Sequence, residues 1–308
     1  MIIIKLFFIF IFFTVSHIQA TYYMVISDLG ISAQSIALGN IHGYSSSSEA
    51  IFSNPASLIN SQDYSFSIFS SKVMNEVDYL QLSLTADIDF GSIGAGVYHQ
   101  KVTDIPATYQ YMDSNVGQTK IQQIGSYAYK NSLYKIAYQS PVFKQSSLGI
   151  SFNYYHISVD TVKGSGTNFD IGIITPLPFN SIKTSFYAQN IIPNRRVNYS
   201  NNQSELLPFI FSSSIIIPIY HLTLIPQISY QKSQVLFSSG LSYTPAFLPY
   251  IDLLAGYKQQ LDYLSNKHQK LTFGFGLTLF ALDIYYAYER SDYFFEDHNT
   301  YVSLNYEL

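Results

Sequence analysis

The chain has no cysteine and no tryptophan among its 308 residues, and only 12% of them carry charge. Without cysteine there is no lipidated anchor, no disulfide scaffold and no thiolate metal site. Lysines and arginines are scattered and the net charge is −4, which leaves no electrostatic footprint for nucleic acid. After residue 20 no apolar run reaches the roughly 20 residues that a membrane helix needs. A glycine-rich phosphate loop, a His-x-x-x-His helix and zinc spacing are also missing, so neither a cofactor nor a metal is expected.

What the sequence has instead is aromatic side chains: 28 Tyr and 23 Phe bring the aromatic share to 17%, yet mean hydropathy is only +0.10. The hydrophobicity must therefore be spread residue by residue, as alternating strands spread it. The exception is the start. Met1 to Lys5, the apolar run Leu6 to Val15 and then Ser16-His-Ile-Gln-Ala20 read as the three regions of a secretory signal, residues 1–20, with cleavage expected after Ala20.

From residue 63 onward, period-2 patterning recurs in segments of about ten residues, the length a tilted strand needs to cross hydrocarbon. Leu80, Leu82, Leu84 and Ala86 oppose Tyr79, Gln81, Ser83, Thr85 and Asp87. Leu271, Phe273, Phe275, Leu277 and Leu279 oppose Thr272, Gly274, Gly276 and Thr278. Segments 282–289 and 301–308 split the same way, and a helix would scatter such residues around its circumference. Gln81, Asp283, Glu289 and Glu307 would be costly in lipid, so the apolar face is assigned to lipid and the polar face to the interior.

Strands are expected near 63–71, 78–87, 90–100, 132–141, 147–158, 168–176, 182–190, 207–218, 222–231, 235–244, 250–258, 270–279, 282–290 and 299–308. A further candidate, 119–129, is assigned to a loop spanning 101–131, because a bacterial barrel with both termini on one side needs an even strand number. Long connections alternate with tight ones, the long ones being extracellular. The fold class is thus all-β, a transmembrane antiparallel barrel over 63–308 in the outer membrane of a diderm bacterium. Its partners are outer-membrane lipid and the barrel-assembly machinery.

Residues 21–62 do not alternate cleanly and contain Gly30, Gly39, Gly43 and Pro55, as an inward-folded hatch or a periplasmic tail would. Asn54-Pro55-Ala56 turns the chain into the first strand, since Asn bonds its own backbone two residues on and Pro fixes φ. A rigid corner and a gate are the two readings of that trio. Ligand-binding residues are not assigned.

Several segments carry a resemblance. Ile31-Ser-Ala-Gln-Ser-Ile-Ala-Leu-Gly39, Glu49-Ala-Ile-Phe-Ser-Asn54-Pro55-Ala56-Ser-Leu58, Asn168-Phe-Asp170-Ile-Gly172, Gln189-Asn190 and Leu207-Pro208 resemble the PorV/PorQ family and its relatives, the FadL-type long-chain fatty-acid transporters. The match departs at Asn40, at Tyr44 to Ser48 and at Ser57. The resemblance implies a fourteen-stranded FadL-like barrel with an N-terminal hatch. It carries two expected functions: passive transport of a hydrophobic or amphipathic small molecule, or a type IX secretion component that binds exported proteins. The small lumen-facing residues Gly94, Gly96, Gly149, Ser151, Gly240, Gly274 and Gly276 are expected to leave space inside.

Three other clusters have bland readings. His156-Ile157-Ser158 resembles the His-x-Ser of an outer-membrane phospholipase, but Val159-Asp160 replaces the flank of that motif, so an interfacial polar pair is expected and no catalytic residue is assigned. Glu296-Asp297-His298 is read as a solvated loop rather than a metal site, and Arg195-Arg196 as a loop pair able to meet lipopolysaccharide phosphate.

Overall fold

The computed structural model describes residues 22–308 except 46, 61–62, 74–75, 114–117, 143–145, 179–180, 263–264 and 291–298. The signal segment and Glu296-Asp297-His298 lie outside the described residues.

Seven strands form the first half of the chain: β1 (Tyr64–Val73), β2 (Val77–Ile88), β3 (Gly91–Asp113), β4 (Gln118–Pro141), β5 (Ser147–Val159), β6 (Val162–Pro176) and β7 (Lys183–Gln189). A small hairpin, β8 (Arg196–Tyr199) and β9 (Ser204–Leu206), follows. The wall resumes with β10 (Ile210–Ile219), β11 (Leu222–Gln231), β12 (Gln234–Tyr243), β13 (Ile251–Leu261), β14 (Lys267–Leu279), β15 (Leu282–Glu289) and β16 (Asn299–Glu307). Every lateral pairing is antiparallel, β7 pairs with β10, and β1 pairs with β16, so fourteen strands close the wall with β8 and β9 outside it. Closure leaves no barrel edge along the paired wall, which is the condition for a sheet to exist in lipid.

The face assignment holds. Along β2 the exposed set includes Leu80 and Leu84, while Gln81, Ser83 and Thr85 are buried. β14 exposes Leu271, Phe273 and Phe275 and buries Thr272, and β16 exposes Val302, Leu304 and Tyr306 and buries Ser303 and Asn305. The apolar outer band and polar interior are those of an integral outer-membrane barrel. Phe90, Tyr220, Phe247 and Phe280 stand exposed at the short turns on the side of the termini, where an aromatic girdle meets the membrane interface.

Three connections differ from expectation, one being that between β7 and β10, where Arg196 opens the β8–β9 hairpin instead of lying in a loop. Residues 101–131 are not a loop: β3 and β4 run on past the wall as a paired ribbon to Asp113↔Gln118, and 119–129 is strand within β4. The even count survives because this stretch lengthens an existing strand. Val159 and Val162 pair directly, so the expected 159–167 loop is a two-residue turn at Asp160, whose φ of 52 that turn requires.

Candidate functional site

The interior is occupied by the chain's own N-terminal segment. Tyr22 bridges Leu206 in parallel, and the Tyr23 N–H donates to the Leu206 carbonyl at 2.9 Å, so the segment starts beside the β8–β9 hairpin at the extracellular side. It ends at the opposite mouth, where β1 begins. It therefore threads the lumen, rather than sitting only at the periplasmic mouth.

Its one α-helix, α1 (Ala33–Ala37), starts at Ser32, whose Oγ accepts from the Ser35 N–H at 3.1 Å. The same hydroxyl donates to Glu49 Oε1 at 2.7 Å, which ties α1 to the next turn, Ser48–Phe52. Thr272 Oγ1 donates to the Ala37 carbonyl at 3.0 Å and anchors α1 to β14. Gly39 follows at φ +76, with a Cβ position 2.7 Å from the Tyr257 carbonyl oxygen, so only glycine lets the segment approach β13 this closely.

The lumen glycines are filled positions. A Cβ on Gly94 would lie 2.7 Å from Ile51, on Gly96 2.6 Å from Ile51, on Gly240 2.9 Å from the Leu38 carbonyl, and on Gly274 2.6 Å from Ala37. On Gly149 it would lie 2.3 Å from both Pro55 C and Ala56 N. The small residues therefore do not leave open space. They are the sockets into which residues 37–56 press, because packing density is gained where backbone meets backbone. Gly276 faces Tyr285 instead, and Ser151 donates to Asp170 at 3.3 Å.

Asn54, Pro55 and Ala56 sit together in this packing. Asn54 Oδ1 accepts from the Ala56 N–H at 3.0 Å, and Asn54 Nδ2 donates to Ser185 Oγ at 2.7 Å on β7. Ser147 Oγ on β5 donates to the Ala56 carbonyl at 2.8 Å. Ser48 Oγ donates to Ser67 Oγ on β1 at 2.8 Å. Glu49 is fully buried, and burial pushes its carboxyl up to about 7 despite hydrogen bonds from Ser32 and Ser45. Burial, followed by the Lys135 ammonium, pulls His42 down to about 4.

Two buried ion networks were not legible beforehand. Lys135 Nζ meets Asp170 Oδ2 at 2.6 Å with both side chains wholly buried. Asp170 also accepts from Asn153 Nδ2 at 2.6 Å, Tyr187 Oη at 2.9 Å and the Asn190 N–H at 2.9 Å. Glu289 bridges Lys258 at 2.6 Å and Lys270 at 2.9 Å. Alternation alone turns these residues inward, but only the strand register makes them neighbours.

On the extracellular side of α1 the packing opens into small chambers. One of about 190 Å³ is walled by Leu29, Phe69, Tyr79, Tyr98 and Tyr301, with the Lys258–Glu289–Lys270 network at its side. A more polar one of about 170 Å³ shares Leu29, Lys258 and Gln260 with it and is bounded by Tyr23, His42 and Gln227. A third, about 770 Å³, lies under the β8–β9 hairpin and shares Tyr23 and Met24 with the second. The second thus adjoins each of the other two.

His156 and Ser158 lie on the outward side of β5. The His156 ring stacks on Tyr154 at 6.4 Å, and among the described residues no hydrogen bond joins it to Ser158. Arg196 Nη1 donates to Ser204 Oγ at 3.2 Å within the β8–β9 hairpin.

In sequence the chain matches no family model and no curated protein. In structure it is similar to the toluene transporter TodX of Pseudomonas putida, with a TM-score of 0.62 and 14% identity over 91% of this chain and 99% of the other. The fold is FadL-like. The toluene transporter TbuX of Ralstonia pickettii superposes with a TM-score of 0.59 at 11% identity, covering 91% of this FadL-like chain and 98% of TbuX. A Pseudomonas aeruginosa FadL homologue gives 0.55 at 8% identity, covering 94% and 99%.

Proposed function

We propose that this FadL-like barrel is a passive outer-membrane channel for a hydrophobic or amphipathic small molecule, with residues 21–62 as the hatch and Asn54-Pro55-Ala56 as its seated corner. The observation that carries the reading is the aromatic chamber of about 190 Å³ beside α1. A cavity of about 150 Å³ takes up benzene, so a single aromatic ring is of fitting size, with Phe69, Tyr98 and Tyr301 on one side and the Lys258–Glu289–Lys270 network as a polar side for an amphipathic ligand. The toluene transporters of similar fold point to the same ligand class. The adjoining chambers supply a stepwise path from the β8–β9 hairpin inward, and the packed segment below them supplies the closure.

Proteoliposomes decide it. Toluene uptake should exceed that of empty vesicles while a hydrophilic sugar is excluded, and deleting residues 23–50 from a folded barrel should raise single-channel conductance. Equal toluene uptake with and without protein overturns the transport reading; unchanged conductance on deletion overturns the hatch.

A role like that of PorV/PorQ proteins is favoured by a different feature, the β3–β4 ribbon. Among the described residues from 103 to 113 and 118 to 127 no lateral strand pairs with it on either side, and Met112, Ile121 and Ile124 stand exposed on it. Free strand edges accept an extended polypeptide. Photocrosslinking from Tyr109 to an exported protein would establish this reading, and its absence in secreting cells would remove it.

A further inference from the structure

The register of the first six strands assembles a charged row that no single segment reveals. Lys72, Asp78, Lys101, Lys130, Ser158 and Lys163 are successive lateral partners across β1 to β6. All six alternate with inward residues and therefore face out of the barrel. Lys72, Asp78, Ser158 and Lys163 each stand one residue from the extracellular end of their strand. The next outward row toward the membrane holds Ser70, Leu80, His99, Ser132, His156 and Ser165, and the row after it Ile68, Leu82, Val97, Tyr134, Tyr154 and Thr167. On β3, β4 and β5 polarity thus falls from ammonium or hydroxyl through imidazole and hydroxyl to apolar and aromatic residues within four positions, which is the profile of a membrane interface.

Lys101 and Lys130 are directly opposed partners, and like charges in that position repel. Among the described residues no acidic side chain forms a salt bridge with either of them, or with Lys72 or Lys163. Within the row four ammonium groups stand against the single Asp78, with Glu76 and Asp160 in the adjoining turns, which leaves the row itself positively charged at the membrane interface. The row thus offers a cationic surface to an anionic group. Strands about 4.8 Å apart put the two central lysines within reach of one phosphate. Beside the row runs a surface groove of about 630 Å³, bounded by Lys72, Asp78 and Lys101 of the row and by Leu80, His99 and Val302 below it.

We propose that this row docks the phosphorylated headgroup of an outer-leaflet lipid, with Lys101 and Lys130 holding a phosphate and the groove leading its acyl chain toward Leu80. A lipid, rather than a soluble anion, fits because the cationic and apolar parts are continuous. The His156–Ser158 pair then belongs to the docking belt: Ser158 stands between Lys130 and Lys163, and His156 in the polar row beneath.

The test is a native mass spectrometry titration of the full-length protein in detergent with diphosphorylated lipid A, and with the same lipid after phosphate removal. The wild type should bind the diphosphorylated form about tenfold more tightly, the size expected for two charge-assisted contacts at a screened surface. Lys101→Gln with Lys130→Gln should abolish that preference, while Lys183→Gln at the periplasmic end of β7 should keep it. Equal binding of the two lipids by wild type overturns the proposal, and that comparison stands even if the double variant does not fold. Retention of the preference by a folded double variant also overturns it. Displacement of the lipid by millimolar inorganic phosphate would make the row a soluble-anion site and refute the lipid assignment.

Discussion

Gly149→Val separates the barrel wall from its contents. A Cβ at Gly149 meets the Pro55-Ala56 backbone first, at 2.3 Å from Pro55 C and from Ala56 N, so the clash falls on atoms that cannot rotate away. The corner must shift by about an ångström to reach ordinary van der Waals separation. Such a shift breaks the hydrogen bonds from Ser147 to the Ala56 carbonyl and from Asn54 to Ser185, worth about 1–3 kcal/mol together. It also uncovers Leu58, now fully buried, at about 1.5–3 kcal/mol. The wall moves the other way, because valine suits a strand interior better than glycine. The expected outcome is a barrel that keeps heat-modifiable electrophoretic mobility while the segment loses roughly 3–6 kcal/mol of seating. Chymotrypsin should then cut at Tyr44 or Phe52, and planar-bilayer conductance should rise. Unchanged protection and conductance in folded Gly149→Val would refute the seating argument; failure of the barrel to fold would refute the separability of wall and segment.

Leu82→Arg or Phe275→Arg, on the lipid face, should destabilise the barrel by about 2–4 kcal/mol in denaturant titrations. Ser83→Arg, although it faces inward, should not be silent: Ser83 is 2% exposed and bonded to Ser48, so the variant should show chymotrypsin sensitivity without loss of the barrel. Lys135→Met leaves Asp170 buried without its cation and should cost about 3–5 kcal/mol, read from the same titrations. Glu49 titrates near 7 in the folded chain against an ordinary 4.5, so its contribution to seating is complete below pH 4.5 and lost as pH rises through about 7. Protease sensitivity should rise over that window in the wild type and be flat in Glu49→Gln.

The barrel was legible because lipid imposes a rule on every second residue. Segments such as Leu271–Leu279 and Val302–Leu308 announce both strand and face, and all fourteen wall strands follow from them. The β3–β4 ribbon escaped because it leaves the membrane: Thr108 to Met112 and Thr119 to Gln123 have no lipid face, so their alternation lapses while their pairing continues. The lumen glycines were visible as small inward residues, but smallness alone does not distinguish empty space from close backbone contact. Gly149 against Pro55 and Ala56 is a contact across more than ninety residues of chain, and nothing local encodes it.

What the sequence by itself determined is therefore the fold class, the strand number and which face of each strand meets lipid, since these rest on composition and on a period of two. Only the tertiary structure decided that residues 22–60 thread and fill the lumen, that Lys135 meets Asp170, and that four lysines from β1, β3, β4 and β6 stand in one row. Those facts depend on strand register and on closure of β1 against β16. A shift of register by two residues would keep every side chain on its face and change every neighbour.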